Sequence, residues 1–323
     1  VSMASEDVKP LSFFIFGHPV TMSPSPEIHS VGFKEAGLPH TYERFDAEDV
    51  EDVVKKLKED GFGGGSVTIP HKESLLPSMD ELSDAAKTIG AVNTITKGSD
   101  GKLHGDNTDW LGIKNQLERS FTIKEKAAAG GSAPVCLLCG SGGTARAAAY
   151  ALREMKAERV LIFNRTTSRA EALAEEFGFE AIADLSSLRE LAQLDIVVDT
   201  LPGASQFVLP NDVADVLERH RPVVFEAAYI PRRTSFVQQA LAAGCEVVEG
   251  IEMLFEQGCA QCEIWTKKAP APRAKIAEAL LEALFKQGSG HPAYAKMEPY
   301  ESLPKGLVRE TVKQEGKNEK EAA

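Results

Sequence analysis

Two side chains, Lys72 and Asp109, stand where a proton could change hands. Lys72 closes the stretch Gly65-Ser-Val-Thr-Ile-Pro-His-Lys, which begins as a buried strand and is broken by a proline. Burying a charge is costly, so a lysine delivered by such a strand is a candidate for chemistry. Asp109 follows the strand-like run in "HGDNTDW" and heads a helix, where an N-cap role alone would account for it. Both residues nevertheless fall at the carboxyl ends of strand-like runs, where open α/β sheets hold their ligands. A lysine that carries an alcohol proton, oriented by a carboxylate, makes a workable proton-transfer unit. His71 is by residue type the more obvious acid–base, which leaves two neighbours competing for one role.

Two further groups suit anions. In "GHPVTMSPSPEIHS", Ser23 and Ser25 sit two residues apart before a helix expected to start near Pro26, and hydroxyls at a positive helix end can hold a carboxylate. Ordinary N-capping by Ser25 explains the same residues. In "CGSGGTARAAAYAL", the glycines Gly140, Gly142 and Gly143, with Thr144 and with Ala145 at the usual third-glycine position, lie between a strand and a helix. Such a turn brings the backbone close to a pyrophosphate at the helix N-terminus, so a dinucleotide is expected. The next strand ends "FNRTTSRA" without the acid that would accept from a ribose 2′-hydroxyl. Arg165 is available instead to a 2′-phosphate, with Asn164, Thr166 and Arg169 as additional donors, and this predicts NADP in preference to NAD. Thr166 or Thr167 can cap the following helix at the same time.

The elements that must place these residues alternate along the chain. "LSFFIFG", "TYERFD", "GGSVTIP" and "AVNTIT" read as strands among helical patterns over residues 11–123, the last helix starting near Asp109. The run 124–134, "KEKAAAGGSAP", reads as a connector. After it, "PVCLLCG", "RVLIFNR", "LDIVVDTL", "PVVFEAAY" and "CEVVEG" alternate with helices over 134–250, predicting a doubly wound parallel sheet. Two helical patterns occupy 251–287. From 288 to 323 the periodicity fades, and a largely disordered tail is expected.

The 323 residues suffice for two domains, and a net charge of −12 argues against nucleic acid or an anionic membrane as partner. No apolar run is long enough to span a bilayer, and the polar, acidic start "VSMASEDVKP" points to the cytoplasm. Five cysteines do not make a secreted disulfide framework. Cys136/Cys139 and Cys259/Cys262 are both C-x-x-C pairs, but positions three apart on a strand face opposite ways, so no metal is expected.

Seven motifs, "SPSPEIH", "SVTIPHK", "IGAVNTI", "GDNTDW", "GSGGTARA", "FNRTTSRA" and "GIEMLFEQG", follow in the order and spacing of the shikimate and quinate dehydrogenases. Residues 11–285 resemble that family, most closely its fungal branch, in which this domain also forms part of a pentafunctional enzyme; here it reads as standing alone. The resemblance implies an α/β substrate domain (11–123 with 251–287), a Rossmann-like NADP domain (134–250) and an active-site cleft between them. It implies hydride transfer between NADP and the 3-dehydroshikimate/shikimate pair, in a monomer or homodimer. Lys72 and Asp109 match the catalytic pair, which demotes His71. Ser23 and Ser25 match the carboxylate-binding hydroxyls, with Thr68 at that end of the site; Asn93 and Gln257 match groups on the ring hydroxyls, and Tyr229 a tyrosine near the substrate. The glycine turn and the Asn164–Arg169 cluster match the cofactor site.

Four positions depart from the pattern. Ser66 stands where many bacterial members have Asn, "DTLPGAS" replaces an Asn-Ala-Thr run, Glu226 stands where Asp is common, and Cys262 where Phe is usual. A quinate dehydrogenase is the nearest alternative, although fungal quinate enzymes resemble NAD users with an acid in place of Thr166. A non-catalytic sensor resembling fungal quinate-pathway repressors is a further alternative, against which the retention of both Lys72 and Asp109 speaks.

Overall fold

In a computed structural model, which describes residues 8–120, 133–285 and 304–311, the chain forms two compact units. Of the described residues, those up to Thr108 and from Gln257 onward form one, and those within Asp109–Glu256 the other.

The first unit is built on strands β1 (Ser12–Gly17), β2 (Thr41–Asp46), β3 (Phe62–Val67), β4 (Glu81–Leu82), β5 (Thr94–Lys97) and β6 (Leu103–Asp106), in the order β2-β1-β3-β5-β6-β4. β1, β2 and β3 are parallel, whereas β5 runs antiparallel to both β3 and β6. Helices α1 (Ser25–Ala36), α2 (Val50–Leu57) and α3 (Asp84–Ile89) link the strands. The glycine run of β3 has a packing cause. A Cβ on Gly63 would lie 2.7 Å from the Phe13 ring, and one on Gly64 would lie 2.5 Å from the Ile95 carbonyl oxygen. Only a strand without side chains there lets those neighbours approach so closely.

The second unit opens with α4 (Asp109–Ser120) and continues as β7 (Val135–Cys139), α5 (Gly143–Glu154), β8 (Arg159–Phe163), α6 (Thr167–Phe177) and β9 (Glu180–Ile182). It proceeds through β10 (Ile196–Asp199), α7 (Asp215–His220), β11 (Val223–Glu226), α8 (Ser235–Ala242) and β12 (Glu246–Val248). All six strands are parallel, in the order β12-β11-β10-β7-β8-β9. This is the doubly wound dinucleotide-binding order, with its switch point between β7 and β10. The chain re-enters the first unit within helix α9 (Gly250–Thr266), and α10 (Arg273–Phe285) then packs on α1.

Helix α4, part of the tail and two short strands differ from the sequence reading. Helix α4 belongs with the second unit, because Trp110 packs edge-on against Tyr150 at 5.1 Å and Gln116 donates to the Glu252 carbonyl at 3.3 Å. The expected boundary at 124–134 lies outside the described residues except for its last two positions. Of the tail expected to be disordered, residues 305–311 are helical, with Leu307 fully buried and Glu310 paired with Arg273 at 3.2 Å; residues 288–303 and 312–323 lie outside the described set. The short strands β4 and β9 escaped the pattern, being too brief to show alternation. Among the described residues, no helix is long and apolar enough to cross a membrane.

Candidate active site

The residues expected to meet a substrate, Tyr229 of the second unit apart, gather at one end of the first sheet. β1, β3 and β6 end there, and the antiparallel β5 begins there. The loop after β1 carries Ser23, and the next helix starts at Ser25. Both serines are buried, and their hydroxyl oxygens are 3.0 Å apart. Ser25 does not cap α1: the cap position is Pro24, without a side-chain bond, so the capping expectation is corrected and the hydroxyl serves elsewhere. The loop after β3 carries Thr68 and Lys72. A Cβ on Gly17 would lie 2.4 Å from Thr68 Cγ2, so the close approach of these two loops depends on that glycine. Lys72 is buried to 9% exposure, and its carbonyl accepts from Val92 N–H at 2.8 Å, which ties it to the segment leading into Asn93. His71 is spent on structure, donating from Nε2 to the Ala47 carbonyl at 2.7 Å.

Asn93 immediately precedes β5 and is held by several partners. Its Oδ1 accepts from Thr108 N–H and from the Thr94 hydroxyl, each at 2.7 Å. Its Nδ2 donates to Thr108 Oγ1 at 3.0 Å and to Gln257 Oε1 at 3.1 Å. Asn93 and Gln257, matched to ring-hydroxyl contacts, are thereby in direct contact, and Asp109 follows Thr108 directly in the chain.

Three further residues, Tyr42, His29 and Gln261, belong to the same unit and were not singled out from the sequence. The Tyr42 hydroxyl donates to Ser66 Oγ at 2.7 Å, with the Ser25 side chain beside it. Ser66 in turn donates to Gln261 Oε1 at 2.8 Å. Burial pushes the Tyr42 phenol well above its ordinary range, so it stays protonated. His29 is fully buried between Tyr42 and Trp265, with ring centroids at 4.4 and 4.7 Å. Neither of its ring nitrogens meets a partner in hydrogen-bonding geometry among the described residues, the Gln261 amide beside it included. Burial lowers its pKa to about 3, and the ring is neutral. The sequence signal for Gln261 is the spacing Gln257, Gln261, Trp265, which puts three donors on one face of α9.

In the second unit, the glycine turn lies between β7 and α5 as expected. Gly140 has φ +117°, and a Cβ there would lie 2.2 Å from Thr200 Oγ1, so no other residue fits. A Cβ on Gly142 would meet open space, and the α5 N-terminus begins at Gly143. This clear approach to a helix N-terminus suits a pyrophosphate. Thr144 is half-buried and Ala145 is buried in the first turn. At the end of β8, Arg165, Thr166 and Arg169 are exposed; Thr166 holds the cap position of α6 without a side-chain cap bond, and Asn164 Nδ2 donates to the Thr166 carbonyl at 3.0 Å. Among the described residues, neither Arg165 nor Arg169 is engaged by a carboxylate, so both guanidinium groups are available to a phosphate.

Asp199 and Glu226 end the neighbouring strands β10 and β11, and both are buried. Burial raises both carboxyls above the usual range, and for Asp199 the neighbouring Glu226 adds to the shift. Glu226 accepts from Ala228 N–H at 2.8 Å and from the Thr234 hydroxyl at 2.7 Å, bracketing the loop that carries the half-buried Tyr229.

Comparison with known proteins identifies the family of the chain. Residues 15–95 match the shikimate dehydrogenase substrate-binding domain, 124–236 the shikimate/quinate 5-dehydrogenase domain and 250–281 the shikimate 5′-dehydrogenase C-terminal domain. The pentafunctional AROM polypeptide of Eremothecium gossypii is 39% identical over an alignment of 279 residues that covers 81% of this chain and 17% of that protein. The chain thus spans about a sixth of the length of such relatives. Among solved structures, shikimate 5-dehydrogenase from Thermus thermophilus, in complex with NADP(H) and shikimate, is 34% identical with a TM-score of 0.71, covering 85% of this chain and all of that one. The dehydroquinate dehydratase and shikimate dehydrogenase of S. pombe AroM is also 34% identical, with a TM-score of 0.67, covering 85% of this chain and 53% of that one.

Proposed function

Because the chain belongs to the shikimate and quinate dehydrogenase family of oxidoreductases, we propose that it interconverts 3-dehydroshikimate and shikimate with NADP as hydride carrier. The observation that carries this reading is the grouping, at one end of one sheet, of a hydroxyl pair, an amide pair and a single buried lysine. A small acid bearing ring hydroxyls needs those partners: neutral donors for its carboxylate and amides for its hydroxyls.

In this reading Ser23 and Ser25 hold the carboxylate, with Thr68 beside them. Asn93 and Gln257 orient the ring. Lys72 gives or takes the proton of the reacting hydroxyl, with Asp109 as its partner, and Tyr229 contributes from the loop after β11. NADP supplies the hydride acceptor or donor. Its pyrophosphate suits the turn from Gly140 to Ala145, where φ at Gly140 and the open space at Gly142 leave the backbone accessible. Its 2′-phosphate suits the exposed pair Arg165 and Arg169.

Initial rates with shikimate or quinate, each with NADP or NAD, test the proposal. The expected outcome is a kcat/KM highest for shikimate with NADP. A preference for quinate would move the chain to the catabolic branch, and ligand binding without turnover in any of the four mixtures would make it a sensor.

A further inference from the structure

The amide of Gln261 occupies a position from which it reaches both halves of the substrate-side residues. Its Nε2 donates to the Asn93 carbonyl at 3.0 Å and to Thr94 Oγ1 at 2.9 Å, and its Oε1 accepts from Ser66 at 2.8 Å. A carbonyl can only accept, so the group facing Asn93 O must be the NH₂, and the amide has a single allowed orientation.

That orientation sets the direction of every bond in a chain of buried groups. Ser66 must donate to Oε1, so it accepts from the Tyr42 hydroxyl at 2.7 Å, which leaves the Tyr42 oxygen beside Ser25 with only lone pairs to offer. On the other side, Thr94 accepts from Gln261 and so gives its own proton to Asn93 Oδ1 at 2.7 Å. With Oδ1 committed, Asn93 meets Gln257 Oε1 through its NH₂ at 3.1 Å. Each group in the chain is at most 6% exposed, so a bond lost here is not made good by solvent.

We propose that Gln261, through Ser66 and Thr94, is the positioning residue of the substrate site: it aligns the hydroxyl pair at one end and the Asn93–Gln257 amides at the other without touching the substrate. This rests on the functional reading above. It assigns to the α9 face formed by Gln257, Gln261 and Trp265 a role in specificity as well as packing, since Trp265 Nε1 extends the same row with a bond to the Ile95 carbonyl at 3.2 Å.

The test uses the full chain and compares wild type, Gln261→Met, Thr94→Val and Thr94→Ser. Met keeps the length of glutamine without its bonds, Val keeps the volume of threonine without its hydroxyl, and Ser restores the hydroxyl. The expected result is a shikimate KM raised about ten- to a hundredfold in Gln261→Met and at least severalfold in Thr94→Val, the range for a buried partner left unpaired. Thr94→Ser should stay within about twofold of wild type, as should the NADP KM of all three variants, which also reports that they are folded. A shikimate KM unchanged in Gln261→Met with an unchanged NADP KM overturns the proposal. Equal impairment of Thr94→Ser and Thr94→Val overturns the Thr94 link. If wild type neither turns over shikimate nor binds it, as followed by tryptophan fluorescence, the functional reading itself falls and the proposal with it.

Discussion

Asp199 and Glu226 are register partners at the carboxyl ends of adjacent parallel strands, and both carboxyls are buried. Two like charges side by side in a low-dielectric setting cannot both be ionised cheaply. The folded protein therefore holds protons on this pair that the unfolded chain, with ordinary carboxyls, has already lost. Burial moves Asp199 up to about 8 and Glu226 to about 7. Between about pH 4 and pH 8 the folded state binds more protons than the unfolded, so stability falls as pH rises through that window. Melting temperature measured from pH 5 to pH 9 should decline, and Asp199→Asn should flatten the decline, because Glu226 then ionises without a charged neighbour. The same slope in wild type and variant would refute the pairing.

Removal of the Lys72 ammonium should abolish proton transfer while leaving cofactor binding in place. For Lys72→Ala the expected loss in kcat is about 10²- to 10⁴-fold, with NADP affinity within about twofold. Stopped-flow rates and a fluorescence titration of NADPH read the two quantities separately.

The arginines at the end of β8 should act on one cofactor only. Arg165→Ala removes a charge-assisted contact expected at the 2′-phosphate, which corresponds to an increase in the NADP KM of about ten- to a hundredfold. The NAD KM should barely move. If both cofactors weaken together, the arginine supports the fold of the loop instead.

The hydroxyl pair should act on substrate alone. Ser25→Ala leaves a carboxylate short of a donor and should raise the shikimate KM about tenfold or more. Since Ser25 does not cap α1, the melting temperature should fall by no more than the few degrees that one lost buried hydrogen bond accounts for. A drop of many degrees would mark the serine as structural.

Gly32 and Cys262 interlock α1 and α9. A Cβ on Gly32 would lie 2.4 Å from Cys262 Sγ, closer than real atoms come. Gly32→Ala should therefore destabilise by about 1–3 kcal/mol, despite a gain of about 1 kcal/mol in helix propensity. Adding Cys262→Ala should recover most of the loss in a denaturant double-mutant cycle. Additive losses would show that the two positions do not meet. The departure at position 262 is thus a matter of packing: the sulfur already fills the space that the glycine leaves open.

Much of this protein is determined locally and was legible in the chain. The glycine turn at Gly140, the strand-helix alternation and the serine pair at the start of α1 depend on backbone conformation and short-range periodicity, which a linear sequence displays directly. The placement of Lys72 in the loop that follows β3 and the helix starting at Asp109 follow in the same way. What only the tertiary structure decided is which distant side chains complete one another. Ser66 and Gln261 lie 195 positions apart, yet share a 2.8 Å hydrogen bond; no local pattern encodes that meeting. The assignment of α4 to the second unit was likewise settled by what it packs against, Tyr150 and Glu252, and no composition shift at Thr108 announces it. A buried polar group must find its partner wherever the fold brings one. The single orientation of the Gln261 amide, and with it the direction of the hydrogen bonds around Asn93, therefore exists only once the strands and α9 are packed.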